Sequence, residues 1–242
     1  MADEAMPIEF RSDVTVELVR ASAQDADVLF AARVSTQGEQ SLDDVGADAS
    51  RSQGLINYLM RDRHGSPFEH NSMTFYVQAP IFVFREFMRH RVASYNEESG
   101  RYRELRPVFY VPGPERKLVQ EGKPGHYVFV EGSDEQHATV DRETRHACTE
   151  AYRAYQHMLD AGVAREVARG VLPVATNSSM YVTMNARSLM NFLSLRTKRE
   201  DSRFPSYPQR EIEMVAEKME SYWAELMPLT YAAFDSGGRV AP

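Results

Sequence analysis

Apolar and polar residues alternate over Val14-Thr15-Val16-Glu17-Leu18-Val19, which predicts a strand. A second strand follows over Ser72–Ala79, with Met73, Phe75 and Val77 on one face. Helices are predicted over Asp25–Val34 and Leu55–Arg61. Pro80 suits a helix start, and the segment Ile81–Met88 is apolar enough to be a buried helix carrying a cluster of arginines at its C-terminal end. Arg101–Val111 reads as extended, and the prolines and glycines between Pro112 and Gly132 mark a surface loop. Ser133-x-x-Gln136 is a capping box opening a helix to about Asp160, whose stripe is Cys148, Ala151, Tyr152, Tyr155, Met158 and Leu159. Ser206-x-x-Gln209, with Pro208 in the first turn, predicts a second box and a last long helix buried through Ile212, Val215, Ala216, Met219, Trp223 and Leu226. Residues 1–12 read as a loose tail, and Thr197–Pro205, charged and irregular, as a mobile segment beside Arg196. Several helices with separated strands indicate an α+β fold, a mixed sheet flanked by helices in a single domain.

Composition narrows the function. A chain of 242 residues can bury a substantial core. It contains no apolar run near the roughly 18 residues of a membrane span and no charged-then-apolar leader, so a cytosolic protein with no membrane partner is expected. The single cysteine, Cys148, excludes an internal disulfide and any multi-cysteine metal site. A formal net charge of -7 argues against binding a nucleic-acid polymer. There is no G-x-G-x-x-G or P-loop sequence, and His64, Glu69 and His70 lack the H-E-x-x-H spacing, so no metal is expected.

Against that acidic background the segment from Arg89 to Arg103 gathers four arginines and His90 with Glu97, Glu98, Ser94, Ser99 and Asn96. Guanidinium groups bind phosphate and carboxylate in bidentate fashion and stay charged at any accessible pH, so a pocket for a phosphorylated small molecule is one reading. Charge matching to the end of the preceding helix is the other. Farther on, Arg187, Asn191 and Ser194 share one face of a helix, Arg196 falls on the opposite side, and Asn185 is placed to cap it.

Arg89-His90-Arg91, seven residues, then Ser99 is the signature of flavin-dependent thymidylate synthases, which the chain resembles. Further blocks in the expected order extend the resemblance from about Val16 to Leu226. They are Ala31-Ala32-Arg33-Val34-Ser35, His64-Gly65-Ser66-Pro67-Phe68-Glu69-His70, Arg165-Glu166-Val167-Ala168-Arg169 with Leu172-Pro173, and Asn185 to Leu193. The resemblance implies conversion of dUMP to dTMP with FAD as cofactor, methylenetetrahydrofolate as carbon donor and NADPH as reductant. It further implies a homotetramer with shared active sites. By the same resemblance Ser66, Arg89, His90, Arg91, Glu97, Asn185, Arg187 and Asn191 contact FAD. Glu86, Arg89, Glu97, Glu98, Ser99, Gly100, Arg101, Arg169 and Arg196 hold dUMP, with Arg101 and Arg169 on the phosphate. Arg196 is the catalytic residue, a fixed positive charge that stabilises the ionised uracil ring. Cys148, mid-stripe on its helix, is read as a core residue, which leaves the chemistry to the cofactor. Two features depart from the family pattern: Glu86 stands where many relatives carry glutamine, and residues 197–208 form a longer segment than in compact relatives. The rival readings are a related flavin-dependent enzyme alkylating C5 of another pyrimidine nucleotide, and a non-catalytic nucleotide-binding regulator.

Overall fold

The computed structural model describes residues 7–38, 49–123 and 126–242. In chain order the elements are β1 (Glu9–Arg11), β2 (Thr15–Ser22), α1 (Asp25–Gln37), α2 (Ala49–Arg61), β3 (Ser72–Pro80), α3 (Ile81–Phe87), β4 (Ser94–Glu97), β5 (Val108–Tyr110), β6 (Val119–Lys123) and β7 (His126–Val130). There follow α4 (Asp134–Asp160), α5 (Arg165–Ala168), β8 (Asn177–Met184), α6 (Ala186–Arg196), α7 (Arg210–Leu226) and α8 (Pro228–Ser236). The fold class is α+β, as expected. The described residues form two compact units: those within 1–14, 78–85 and 97–179 make one, and those within 15–77, 86–96 and 180–242 the other. A four-stranded sheet has the order β2-β3-β8-β4.

In the first unit, α4 begins at the expected capping box. Ser133 Oγ accepts from the Gln136 amide, and the Gln136 side chain accepts from the Ser133 amide. Its stripe closes a core of Phe109, Cys148, Tyr152, Tyr155 and Ala168, with Cys148 2 % exposed. Burial raises the Cys148 thiol pKa, the opposite of what a nucleophile needs. Three expectations fail here. Residues 9–11 are not a loose tail: β1 pairs in parallel with β5, and Ile8 and Phe10 pack on the core. The first six residues of that tail lie outside the described residues. The stretch from Pro112 to Gly132 contains an antiparallel hairpin, β6 with β7. Arg101–Arg103 form a turn, leaving only Val108–Tyr110 as strand.

In the second unit, Met73, Phe75 and Val77 are fully buried on one face of β3. Phe87 and Phe192 stack at 4.9 Å, and Trp223 meets Tyr231 and Phe234 edge-on at 5.6 Å. Helix α6 packs on α7, and α2 on α8. The second capping box does not form. Helix α7 starts at Arg210 behind Gln209, which makes no side-chain cap, because Ser206 Oγ donates instead to the Leu195 carbonyl at 2.6 Å. Leu226 is half-buried rather than sealed. The segment after Arg196 is tethered: Thr197 is 2 % exposed, and the Arg203 amide donates to the Gly238 carbonyl.

Candidate functional site

Helix α3 is only seven residues long and ends at Phe87, before the arginine cluster. The apolar run breaks there too, since Phe87 is fully buried and Met88 is 45 % exposed. Backbone bonds from Arg89 to Glu86 and from His90 to Phe87 close the turn. The Tyr95 hydroxyl donates to the carbonyls of Phe87 (3.0 Å) and His90 (2.7 Å), and burial pushes its pKa to about 12. Arg89 and Arg91 project outward, while His90 is half-buried edge-on to Phe192.

Helix α6 delivers Arg196 to the same place in the second unit. Its Nη1 meets Glu86 Oε2 at 2.5 Å, its Nη2 donates to the Glu86 carbonyl at 3.4 Å, and its Nε donates to His90 Nε2 at 3.1 Å. His90 therefore accepts at Nε2 and is the neutral tautomer protonated at Nδ1. Burial first, and the adjacent guanidinium second, lower its pKa to about 4. Glu86 is pushed the other way: burial raises its pKa, Arg196 opposes the rise, and the buried Glu211 adds to it. Glu86 Oε1 is buried without a hydrogen-bond partner. A ligand that supplied a donor there would remove a desolvation cost of roughly 1–3 kcal/mol.

At the other end of α6, Asn185 is the helix cap, accepting from the Ser188 amide at 2.9 Å. Arg187 is held by Glu69 (2.5 Å) and by the Pro242 carbonyl (2.8 Å). Its guanidinium lies on the backbone of Gly65, where an added Cβ would fall 2.5 Å from its Nε. Asn191 donates back to the Arg187 carbonyl, and Ser66 is exposed.

The remaining expected residues belong to the first unit. The Glu98 carboxylate accepts from Ser179 Oγ at 3.0 Å and faces Arg103 at 3.3 Å. The Glu97 carboxyl is raised in pKa chiefly by desolvation, with Ser178 opposing. Ser99 Oγ accepts from the Arg101 amide at 3.3 Å, and no base stands among its partners. Arg101 pairs with Glu166 at 2.5 Å in an exposed salt bridge. Gly100 lets the chain close onto Leu105 and the Arg169 stem, since a Cβ there would meet them at 3.0 and 3.2 Å. The structure thus brings Glu86, His90 and Arg196 together, and separately groups Arg187 with Ser66's neighbour Glu69. Sequence reading missed the partners Glu69, Ser178 and Ser179. Glu69 drew notice only as a metal candidate, and the paired serines of β8 lie beyond any local motif.

In this α+β protein a half-buried guanidinium thus stands beside a carboxylate oxygen without a hydrogen-bond partner, and guanidinium groups such as the exposed arginines are the side chains suited to phosphate and carboxylate. Comparison with known proteins carries this further. A family described as Thymidylate synthase complementing protein matches residues 17–229. A flavin-dependent thymidylate synthase from Streptomyces avermitilis is 72 % identical over all of this chain and 98 % of its own length. One from Tropheryma whipplei is 59 % identical over 96 % of this chain and 97 % of its own. The crystal structure of PolB from Streptomyces cacaoi, a UMP/dUMP methylase bound with 5-Br dUMP, superposes with a TM-score of 0.92. It is 60 % identical, covering 97 % of this chain and all of that one. The chain belongs to the flavin-dependent thymidylate synthase family.

Proposed function

We propose that this enzyme transfers a one-carbon unit from methylenetetrahydrofolate to C5 of dUMP and reduces it to the methyl of dTMP, with NADPH as the reductant and FAD as the cofactor. The observation that carries the reading is Arg196, held half-buried by Glu86 and His90 in a member of this family. Uracil becomes nucleophilic at C5 as negative charge develops on its ring. A preorganised guanidinium stabilises that charge without itself exchanging a proton. Oε1 of Glu86 is an acceptor in need of a donor, which suits the ring N–H of uracil.

The flavin-side residues fit an acceptor-rich dinucleotide. Arg89, Arg91 and Arg187 are cationic donors. Asn185 uses its carbonyl on the helix cap, which leaves its amide N–H groups for a ligand. Ser66, His90, Glu97 and Asn191 complete the set. Bound there, FAD would supply hydride chemistry that no side chain can perform. On the nucleotide side, Arg101 and Arg169 take the phosphate, with Arg89, Glu97, Glu98, Ser99 and Gly100 around the sugar and base. Arg101 must exchange Glu166 for phosphate, and an exposed salt bridge of about 0–1 kcal/mol opposes that little. A homotetramer with shared sites belongs to the same reading.

PolB, named for both UMP and dUMP, favours a second substrate, UMP, at the same site. The test is the purified protein's visible spectrum with an anaerobic assay of dUMP and UMP in the presence of methylenetetrahydrofolate and NADPH. A yellow protein that forms dTMP, and whose Arg196→Ala variant loses about 10²–10³ in rate with flavin retained, is expected. A colourless protein would return the regulator reading. NADPH oxidation without dTMP would point to another nucleotide.

A further inference from the structure

Arg239 is one of two non-glycine residues with positive φ among the described residues, at 59°. It follows α8, where its amide closes onto the Phe234 carbonyl at 2.9 Å, a position at which glycine avoids the Cβ clash. The side chain nevertheless retained there is 3 % exposed. Its Nη1 meets Glu220 at 2.7 Å and Asp235 at 2.8 Å, and its Nη2 donates to Thr197 Oγ1 at 3.0 Å. Thr197 in turn gives its only hydroxyl proton to the Leu193 carbonyl at 2.7 Å, alongside its own amide at 3.0 Å. That hydroxyl is therefore fully specified, proton to Leu193 and lone pair to Arg239. Thr197 is the residue that ends α6, immediately after Arg196. Glu220 also receives Arg199 at 3.1 Å, and the Lys198 amide donates to Glu213, so the chain just after Thr197 is anchored to α7.

We propose that Arg239, acting through Thr197, is a positioning residue for Arg196. The buried network clamps the last turn of α6 and so fixes where the Arg196 guanidinium stands against Glu86 and His90. This inference rests on the reading of Arg196 as the group that stabilises charge on the nucleotide. It extends the working parts of the enzyme to a residue that touches no ligand. Misplacing such a group by about 1 Å can cost up to about a hundredfold in rate.

Two variants of the flavin-loaded, full-length enzyme test it. Thr197→Val keeps the shape and removes the hydroxyl, and Arg239→Lys keeps the buried charge but gives up the second arm of the guanidinium. Rates are measured per bound flavin, below the melting temperature of each variant. Both variants are expected to lose about tenfold or more in kcat, and Thr197→Ser to recover the rate to within about twofold. The ¹⁵N resonance of His90 Nε2, which accepts from Arg196 Nε, shifts in the first two and returns in the third. A lower melting temperature with full kcat and an unmoved His90 resonance, in either variant, overturns the proposal and leaves the network a purely structural one. Arg196→Ala is run beside them. If it retains kcat, the reading of Arg196 itself has failed and the proposal falls with it.

Discussion

Two arginine–glutamate pairs in the same unit teach opposite lessons. Arg239 and Glu220 are 3 % and 6 % exposed, sealed among Asp235, Thr197 and Arg199 with the Phe234 ring 5.0 Å beneath the guanidinium, although Arg239 Nε and Glu220 Oε1 are buried without a hydrogen-bond partner. Arg196 and Glu86 are 18 % and 22 % exposed, and the pair is left incomplete, with Glu86 Oε1 unfilled and a neutral histidine as the third partner. A network sealed from solvent and held by several partners keeps one geometry. An unfilled acceptor at the edge of solvent is one that a ligand can reach and complete.

The largest expected effect is on the sealed pair. Arg239→Met leaves the buried Glu220 with the more exposed Arg199 as its remaining cation and should cost about 3–5 kcal/mol in urea unfolding. The double variant Arg239→Met with Glu220→Met should recover most of that loss, because neither charge is then left alone. Arg196→Ala leaves a more exposed Glu86 whose pKa is already raised by burial, so its cost should be clearly smaller than that of Arg239→Met. Equal losses in the two single variants would abolish the distinction between the pairs.

This distinction was not legible in the sequence, although much of the fold was. Local signals survived folding: the Ser133–Gln136 box and the alternation in β3 need only their own neighbours. The second box failed because Ser206 found a carbonyl eleven residues back, in α6, a competitor that spacing cannot reveal. Strand β1 was hidden for a related reason, its parallel partner lying about a hundred residues away. The β6–β7 hairpin was masked by prolines and glycines that mark turns whether or not strands flank them. At the site, residue types and blocks were readable, but pairings such as Arg196 with Glu86, 110 residues apart, were not. Nor could composition distinguish the arginine that is sealed from the one that is open.

A middle-sized effect concerns Glu86 and pH. Burial raises the Glu86 pKa above its ordinary 4.5, so the folded protein holds that proton more tightly than the unfolded chain. Glu86 therefore subtracts stability as pH rises from about 4.5 through its folded pKa. Glu86→Gln, which cannot titrate, should flatten that fall in denaturant midpoints measured across the acid range. It should also keep Arg196 in place through the amide oxygen. If the variant instead steepened the fall, Glu86 would be a carboxylate stabilised by Arg196 rather than one penalised by burial.

The last effect concerns His90, whose sign is the reverse. Its pKa of about 4 against an ordinary 6.5 means that the unfolded chain binds the proton more readily. His90 thus removes stability as pH falls from 6.5 toward 4, opposing Glu86 in the overlapping window. Burial is the larger cause and the Arg196 charge the lesser. Arg196→Ala should therefore raise the His90 pKa only part of the way back, as followed by NMR titration of its imidazole. A full return to 6.5 would mean that the guanidinium, rather than packing against Phe192, keeps this histidine neutral. The open site would then be organised by charge alone. A partial return means that the fold excludes water from His90 first and that Arg196 adds to a neutrality already established.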